Sequence, residues 1–250
     1  MSFIYAHRGA SVKAPENTLE AFSLAVAMGA DGLELDVHLS SDGELMVIHD
    51  AKVDRTTNGT GYVKDMTLEQ LKALDASNGK EAYKGAKIPT LAEVYDLIKG
   101  TQLHVNVEIK TDEALYPDIE KKCLELERQK GMTGRVLYSS FNHYTIANIL
   151  QLDPAAKTGL LYLSGLYQPW VYAKSVGATH IHPFYPSIML PGLVEGCAKN
   201  DVGINFWTVN DPNVMAQCVR CGVGIITDEP DVAIEIRNQM SAKQSFLMSM

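Results

Sequence analysis

Short apolar runs alternate with amphipathic segments along most of the chain. Each run is rich in β-branched or apolar residues and is bounded by turn-forming residues, which is typical of buried strands. Eight such runs occupy residues 3–9, 32–40, 103–110, 135–141, 158–163, 179–183, 203–209 and 222–228. Segments with helical periodicity follow them, for example residues 17–28, 114–130, 143–152, 191–200, 212–221 and 230–239. Eight strand–helix units in 250 residues predict an α/β fold of the (β/α)8 class, a TIM barrel.

The repeat is interrupted once, after the second run. The segment "LMVIHD" at residues 45–50 suggests a hairpin, and the Gly- and Thr-rich turn "RTTNGTG" follows it at 55–61 before the barrel pattern resumes. We therefore predict a single catalytic domain over residues 1–250, with a small insertion subdomain after strand 2 at residues 51–87. Loops that follow strands gather at the carboxyl end of a barrel, so the insertion is expected to cap or wall the active site.

Composition and charge limit the classes of binding partner that we expect. The chain has 22 basic and 30 acidic residues and a formal net charge of -8. An acidic protein is not attracted to nucleic acid or to an anionic membrane, so we expect neither a nucleic-acid partner nor stable membrane association. The first residues lack the pattern of a secretory signal, which favours a cytoplasmic location. The oligomeric state is not predicted by any feature of the sequence.

The segment "GLELDVHLSSDGELMVIHD" at residues 32–50 places charged groups within a strand that is otherwise apolar. Alternate residues of a barrel strand point inward, so Glu34 and Asp36 face the interior together, and Glu108 and Lys110 do the same in their own strand. Buried carboxylates repel one another unless positive charge lies between them. Three such groups predict one divalent cation, Mg²⁺ or Ca²⁺, and Mn²⁺ is compatible with the same ligands.

Two histidines and two cationic side chains are expected beside these carboxylates. His7 and Arg8 end the first strand, and His49 returns from the hairpin after the second. Two imidazoles near one metal-bound group suit a general acid and a general base, because imidazole titrates near neutral pH. Arg8 and Lys110 supply the positive charge that a phosphate requires. The combination predicts hydrolysis of a phosphate ester.

Ten short motifs resemble those of the glycerophosphodiester phosphodiesterase family, in particular its cytosolic bacterial members, over residues 3 to about 232. They are HRG at 7–9, PENT at 15–18, ELD at 34–36, DG at 42–43, HD at 49–50, RTTNGTG at 55–61, IPTL at 88–91, EIK at 108–110, WTVN at 207–210 and ITDEP at 226–230. The resemblance implies an acid/base pair, His7 and His49; a metal-ligand set, Glu34, Asp36 and Glu108; phosphate-binding residues, Arg8 and Lys110; and an apolar wall for the glycerol moiety, Trp207.

The implied reaction is metal-dependent hydrolysis of a glycerophosphodiester, such as glycerophosphocholine or glycerophosphoethanolamine, to sn-glycerol 3-phosphate and an alcohol. Either histidine is a candidate for the acid or the base, and either water or the glycerol 2-hydroxyl of the substrate is a candidate nucleophile. Two alternatives stay open: a lysophospholipase D-type phosphodiesterase, which would need a long apolar groove, and a non-catalytic barrel that binds glycerophosphodiesters.

Several site residues also have structural interpretations. An ion pair with Lys110 is the alternative for Glu108, and packing inside the barrel is the alternative for Trp207. His38 shares the parity of the two acids of its strand and is a candidate hydrogen-bond partner for the site, although we expect no direct catalytic role.

Overall fold

The computed structural model describes the backbone of residues 1–248 and side chains as far as residue 243. The described strands are β1 (Ile4–His7), β2 (Gly32–Leu39), β3 (Leu45–Val47), β4 (His104–Ile109), β5 (Val136–Ser140), β6 (Lys157–Tyr162), β7 (His180–Pro183), β8 (Gly203–Phe206) and β9 (Gly224–Thr227). The described α-helices are α1 (Leu19–Met28), α2 (Leu68–Ala73), α3 (Leu91–Ile98), α4 (Ile119–Gln129), α5 (His143–Leu152), α6 (Pro169–Val176), α7 (Leu193–Lys199), α8 (Pro212–Cys221) and α9 (Pro230–Met248). Short 3₁₀ helices span Val63–Asp65, Glu81–Tyr83 and Tyr185–Met189.

Eight parallel strands close into a barrel. The order around it is β1, β2, β4, β5, β6, β7, β8 and β9, and β9 pairs with β1 to complete the ring. The remaining strand, β3, pairs antiparallel with β2 and forms the hairpin suggested by "LMVIHD". The predicted (β/α)8 barrel is therefore confirmed, and each of the eight apolar runs corresponds to one barrel strand, although β6 begins one residue before its run, at Lys157.

Strand β2 is buried on both faces, for different reasons. Leu33, Leu35 and Val37 point outward into the apolar layer beneath the surrounding helices. Glu34 and Asp36 alternate with them and point into the barrel, where they are also almost fully buried. The period of two in a strand thus turns one short sequence into an apolar outer face and an acidic inner face.

The predicted insertion lies between β3 and α3. It contains α2 and two of the 3₁₀ helices, and α2 begins with a capping box in which Thr67 and Gln70 bond each other's backbone. Its apolar side chains form a small cluster with β3: Met46, Ile48, Val53, Val63, Leu71, Ala76 and Ile88. The boundaries of one domain with a subdomain at 51–87 stay a prediction, and residues 249–250 of that domain lie outside the described residues.

Two helix boundaries differ from the predicted ones. α4 begins at Ile119 and not at 114, because Pro117 lacks a backbone N–H and disfavours helix in the residue before it. α9 continues to Met248, well past the predicted end at 239. Among residues 1–248, none of the helices combines the length and the apolar character that crossing a bilayer requires.

Candidate active site

Three acidic side chains meet inside the barrel. Glu34 and Asp36 come from β2 and Glu108 from the neighbouring β4, where Asp36 and Glu108 are paired in register. One carboxylate oxygen from each residue lies within 4.8 Å of the others, and the residues are 3%, 1% and 8% exposed. Within the described residues, no other group of histidine, cysteine and acidic side chains has this spacing.

The electrostatics of this cluster favour a positive charge at its centre. Burial, followed by repulsion from the other acids, raises the pKa of Glu34 well above its ordinary value and that of Glu108 to about 7. Burial alone would also raise the pKa of Asp36, but the charge of Arg8 prevails, with smaller effects from other neighbours, and holds it below its ordinary value. Repulsion among three buried acids is relieved by positive charge placed between them.

A hard divalent cation fits this arrangement. Two oxygens that bind one ion can be no farther apart than twice the metal–oxygen distance, about 4.2 Å for Mg²⁺ and roughly 4.6–5.2 Å for Ca²⁺. The spacing within 4.8 Å therefore suits a single Ca²⁺, and a single Mg²⁺ would require the oxygens to lie within about 4.2 Å of one another. Asp36 Oδ1 is buried and accepts no hydrogen bond, so it has a free acceptor for such an ion.

Lys110 and Arg8 flank the carboxylates. Lys110 Nζ donates to Glu108 Oε1 at 2.8 Å and lies 3.9 Å from Asp36 Oδ1, so the ion pair weighed as an alternative for Glu108 is present. Arg8 Nε lies 3.5 Å from Asp36 Oδ2, and the Arg8 backbone N–H donates to Glu34 Oε2 at 3.1 Å. Two cationic side chains and three acids thus share one enclosed space.

Gly9 makes the turn that places Arg8. Its φ of 84° lies in the left-handed region, and a Cβ there would come within 2.6 Å of the backbone carbon of Ala21. Only glycine fits both requirements without displacing α1. The HRG motif therefore needs its glycine so that β1 can turn sharply beside the carboxylates.

His7 is held by a carboxylate that directly follows β9, the strand that closes the barrel. His7 Nδ1 lies 2.6 Å from Asp228 Oδ1, and Asp228 also accepts from Ser11 Oγ at 2.9 Å and from Asn210 Nδ2 at 2.6 Å. Burial opposes ionisation of Asp228, but its hydrogen bond with His7 and the other contacts lower its pKa to about 2. An ionised carboxylate can only accept, so His7 Nδ1 carries the proton and Nε2 faces Glu34, 3.9 Å from Oε2.

His49 has the same kind of partner. Its Nδ1 lies 2.6 Å from Asp50 Oδ1, and its Nε2 accepts from Lys110 Nζ at 3.4 Å. Lysine can only donate, so the neutral ring carries its proton on Nδ1 and a lone pair on Nε2. Burial lowers the pKa of His49 from its ordinary value, with contributions from the Arg8 and Lys110 charges.

His38 contacts the site through the backbone of His49. Its Nε2 donates to the His49 carbonyl at 3.0 Å, and its Nδ1 accepts from the Tyr116 hydroxyl at 2.8 Å. Both hydrogen bonds are consistent with one neutral tautomer, which burial favours by lowering the pKa of His38. The structure therefore places His38 as a hydrogen-bond partner behind the site.

Trp207 follows β8 and is partly exposed. Its indole N–H donates to the His182 carbonyl at 2.6 Å, and its ring packs against Phe141 and Phe184 with centroids 5.3 and 5.6 Å away. Lys110 Nζ lies 5.9 Å from the Phe141 ring centroid, which links this aromatic group to the charged side chains. Trp207 is thus packed on aromatic neighbours without being buried by them.

Four polar residues of the site were not predicted individually: Glu16, Asn17, Arg55 and Asp228. Asn17 Nδ2 donates to Asp36 Oδ2 at 2.9 Å, and Glu16 accepts from Arg8 NH1 at 2.9 Å. All four lie inside motifs that carried the resemblance, namely PENT, RTTNGTG and ITDEP. The sequence signal was present, but the partner of each residue was not visible in it.

Comparison with known proteins finds relatives that all belong to one family. The sequence model of the glycerophosphoryl diester phosphodiesterase family matches residues 7–232. A glycerophosphodiester phosphodiesterase of Caldanaerobacter subterraneus subsp. tengcongensis is 48% identical over 237 residues, which cover 94% of this chain and 97% of the relative. One of Bacillus altitudinis is 40% identical over 244 residues, covering 96% and 100%.

Solved structures agree with the sequence relatives. A glycerophosphodiester phosphodiesterase from Agrobacterium tumefaciens str. C58 has a TM-score of 0.83 at 32% identity, covering 93% of this chain and 99% of the other. A phosphodiesterase from Oleispira antarctica, solved in complex with the product sn-glycerol-3-phosphate, has a TM-score of 0.88 at 27% identity, covering 95% and 97%.

Proposed function

The chain belongs to the glycerophosphoryl diester phosphodiesterase family and is an enzyme of that class, and from this premise we propose that it hydrolyses small glycerophosphodiesters in a metal-dependent reaction. The substrates are glycerophosphocholine, glycerophosphoethanolamine and related head-group diesters, and the products are sn-glycerol 3-phosphate and the free alcohol. We also propose a cytoplasmic location, from the resemblance to the cytosolic bacterial members of the family. Family membership argues against the non-catalytic alternative.

One observation carries this proposal. Three buried carboxylates with the spacing of a cation site lie between two histidines, each of which is paired with its own carboxylate. A protein that only binds its ligand does not require two imidazoles with Nε2 available for proton transfer. The arrangement lies at the carboxyl end of the barrel strands, where barrel enzymes bind substrate.

Binding of the phosphate would depend on positive charge at the centre of the site. Glu34, Asp36 and Glu108 would hold the divalent cation, which, when bound, supplies positive charge to a phosphate oxygen. Arg8 and Lys110, already beside these acids, would bind the remaining phosphate oxygens.

The two histidines would transfer protons at Nε2. Asp228 and Asp50 each accept a hydrogen bond from the Nδ1–H of one ring, so both rings present Nε2 for the reaction. One ring would take a proton from the nucleophile, and the other would give a proton to the leaving alcohol. Both rings have a carboxylate partner at Nδ1, so either assignment satisfies this part of the hydrogen-bond pattern.

Two nucleophiles are compatible with the site: water, or the 2-hydroxyl of the substrate glycerol, which would form a cyclic phosphate that water then opens. We propose the second route, on the resemblance of the fold to that of phosphatidylinositol phospholipases C. A substrate without the 2-hydroxyl should then be hydrolysed poorly, and equal turnover of the deoxy analogue would contradict this route.

A second substrate class, the lysophospholipids, is favoured by one surface feature. Residues 158–194 contain a single Lys, Arg, Asp or Glu residue, Lys174. A cavity of about 390 Å³ lies between the loops after β6 and β7, lined by residues 165–170 and 190–193. Tyr167 in this lining is 89% exposed, so the groove offers an uncharged aromatic surface.

The segment at residues 184–190 connects the aromatic group of the site to this groove. Phe184 packs on Trp207 at 5.6 Å and on Tyr185 at 5.0 Å, and Tyr185 leads into the loop that carries Leu190. An acyl chain on the substrate glycerol would follow this path. Choline release from lysophosphatidylcholine at a rate comparable to that from glycerophosphocholine would support the second class, and no release would exclude it.

The primary proposal is tested by release of sn-glycerol 3-phosphate from glycerophosphocholine by purified protein. Chelator should abolish release, and restoring Mg²⁺, Ca²⁺ or Mn²⁺ one at a time should identify the ion. The His49→Ala variant, purified in parallel, controls for contaminating phosphodiesterases. Undiminished release after chelation would contradict metal dependence, and no release with any ion would contradict the substrate assignment.

A further inference from the structure

The insertion contributes one guanidinium to the edge of the active site. Arg55 donates from NH1 to Glu16 Oε2 at 2.6 Å and from NH2 to Glu16 Oε1 at 2.8 Å. It also donates from Nε to Asp50 Oδ2 at 2.8 Å and from NH2 to Asp50 Oδ1 at 3.0 Å. One side chain therefore forms paired hydrogen bonds with two carboxylates at once, the strongest geometry available to arginine.

Each of these carboxylates contacts a residue of the proposed reaction. Asp50 Oδ1 is the partner of His49 Nδ1 at 2.6 Å, and Glu16 Oε1 is the partner of Arg8 NH1 at 2.9 Å. Arg55 is thus linked to His49 through Asp50 by two successive hydrogen bonds, although it touches neither the carboxylate cluster nor the imidazole.

We propose that Arg55 is a positioning residue that fixes the His49 imidazole through Asp50, with Glu16 as the anchor on the opposite side of the guanidinium. This inference rests on the proposed function, because it assigns the insertion a part in the proton transfer at His49 Nε2. The insertion then supports the reaction as well as forming a wall beside it.

The need for an anchor follows from the exposure of the pair. The side chains of His49 and Asp50 are 31% and 33% exposed, and exposed ion pairs between mobile side chains are weak. Asp50 held only by its neighbour in sequence could turn toward water and release the ring. The planar fork of Arg55 opposes that rotation by binding both carboxylate oxygens.

The charge state of Asp50 agrees with this role. Its hydrogen bonds with Arg55 are the largest influence that lowers the pKa of Asp50 below its ordinary value. A carboxylate that stays ionised only accepts, which keeps the proton of the neutral ring on Nδ1 and leaves Nε2 available.

The backbone of His49 is held separately. His38 Nε2 donates to the His49 carbonyl at 3.0 Å, and that contact does not involve Arg55. Removing the guanidinium should therefore loosen the ring and its carboxylate while the main chain stays in place. Since Arg55 is 45% exposed, its variants should also fold.

The test compares Arg55→Ala and Arg55→Lys with Arg128→Ala. Arg128 is a matched control, since it is 54% exposed and pairs with Asp153 on the outside of the barrel at 3.0 Å. We expect Arg55→Ala to lower kcat on glycerophosphocholine by about 10- to 100-fold, the usual scale for a residue that orients a reacting side chain. Arg55→Lys should recover little of the loss, because lysine cannot form the fork. The control should stay within about twofold of wild type, and a normal kcat in Arg55→Ala would overturn the proposal.

A double-mutant cycle with His49→Ala separates positioning from general damage. If Arg55 acts through His49, adding Arg55→Ala to His49→Ala should not lower kcat further, because effects of residues acting as a unit are not additive. A further drop in kcat equal to that in the wild-type background would overturn the proposal.

Imidazole ¹⁵N spectra give a readout that does not depend on turnover. Wild-type His49, assigned from the spectrum of His49→Ala, should show a protonated Nδ1, and Arg55→Ala should show a mixture of the two tautomers. An unchanged His49 tautomer in Arg55→Ala would overturn the inference about Arg55 but not the proposed function. Wild-type protein that releases no sn-glycerol 3-phosphate would instead refute the proposed function, so the two failures are distinguishable.

Discussion

Replacing Asp228 by asparagine tests the assignment of His7 to proton transfer most directly. Three donors point at this carboxylate: His7 Nδ1, Ser11 Oγ and Asn210 Nδ2. Asparagine offers one acceptor oxygen and one NH₂ group, so at least one donor must face another donor. Asn210 cannot turn over freely to help, because its Oδ1 already accepts from the Asp228 backbone N–H at 3.0 Å.

The size of the effect on stability can be worked from the pKa. The difference between the ordinary pKa of 3.8 and the value of about 2 in the folded protein corresponds to about 2 kcal/mol. The pKa of Asp228 is lowered on folding, so this stabilisation is complete well above pH 3.8 and is lost as the pH falls toward 2. We expect Asp228→Asn to be less stable than wild type by up to about 2 kcal/mol at pH 7, and by about half as much at pH 3.

The effect on activity should be larger than the effect on folding. Without the carboxylate, His7 competes with Ser11 and Asn210 for one acceptor oxygen and loses the charge that balances its protonated form, so kcat should fall by roughly 10²- to 10³-fold. Urea denaturation at both pH values and kcat on glycerophosphocholine measure the two effects. Asp153→Asn, which changes an acid on the outside of the barrel, is the control. A kcat within about threefold of wild type would refute the role given to His7.

Three further predictions concern the other site residues. His7→Ala and His49→Ala should each lower kcat by roughly 10²- to 10⁴-fold with unchanged cation affinity, and a near-normal rate in either would remove that residue from the mechanism. Glu34→Gln or Asp36→Asn should weaken cation binding at least about tenfold in calorimetric titration. Loss of a direct ligand should lower the affinity at least as much as loss of a residue that supports a ligand, and unchanged affinity would contradict ligation. Trp207→Ala should raise KM for glycerol-containing diesters more than for synthetic aryl diesters, and equal losses on both would assign Trp207 to packing alone.

The barrel could be predicted because each of its strands is recognisable from a few neighbouring residues. Each barrel strand is a run of apolar or β-branched residues with polar boundaries, and this pattern survives in any tertiary context. Helix α6 was not among the helices predicted individually, since Trp170, Val171 and Tyr172 are weak helix formers and Pro169 is the main start signal. The late start of α4 follows from Pro117, whose effect is also local.

The inward-facing acids were predictable for the same reason. The period of two in β2 puts Glu34 and Asp36 on one face, and the rule depends only on the strand being a strand. That Glu108 lies opposite Asp36 required the register between β2 and β4, which the sequence suggested only through the repeat of strand–helix units.

The sequence by itself determined which side chains are candidates for the chemistry and which face of a strand most of them occupy, because strand alternation is set over a few residues. Only the tertiary structure decided their partners. Asp228 reaches His7 because β9 closes the barrel on β1, across 221 positions of sequence. Arg55 reaches Glu16 because the insertion folds back over the first loop. Hydrogen bonds of this kind depend on loop closure and on distances of a few tenths of an ångström, and a linear pattern of residues contains neither.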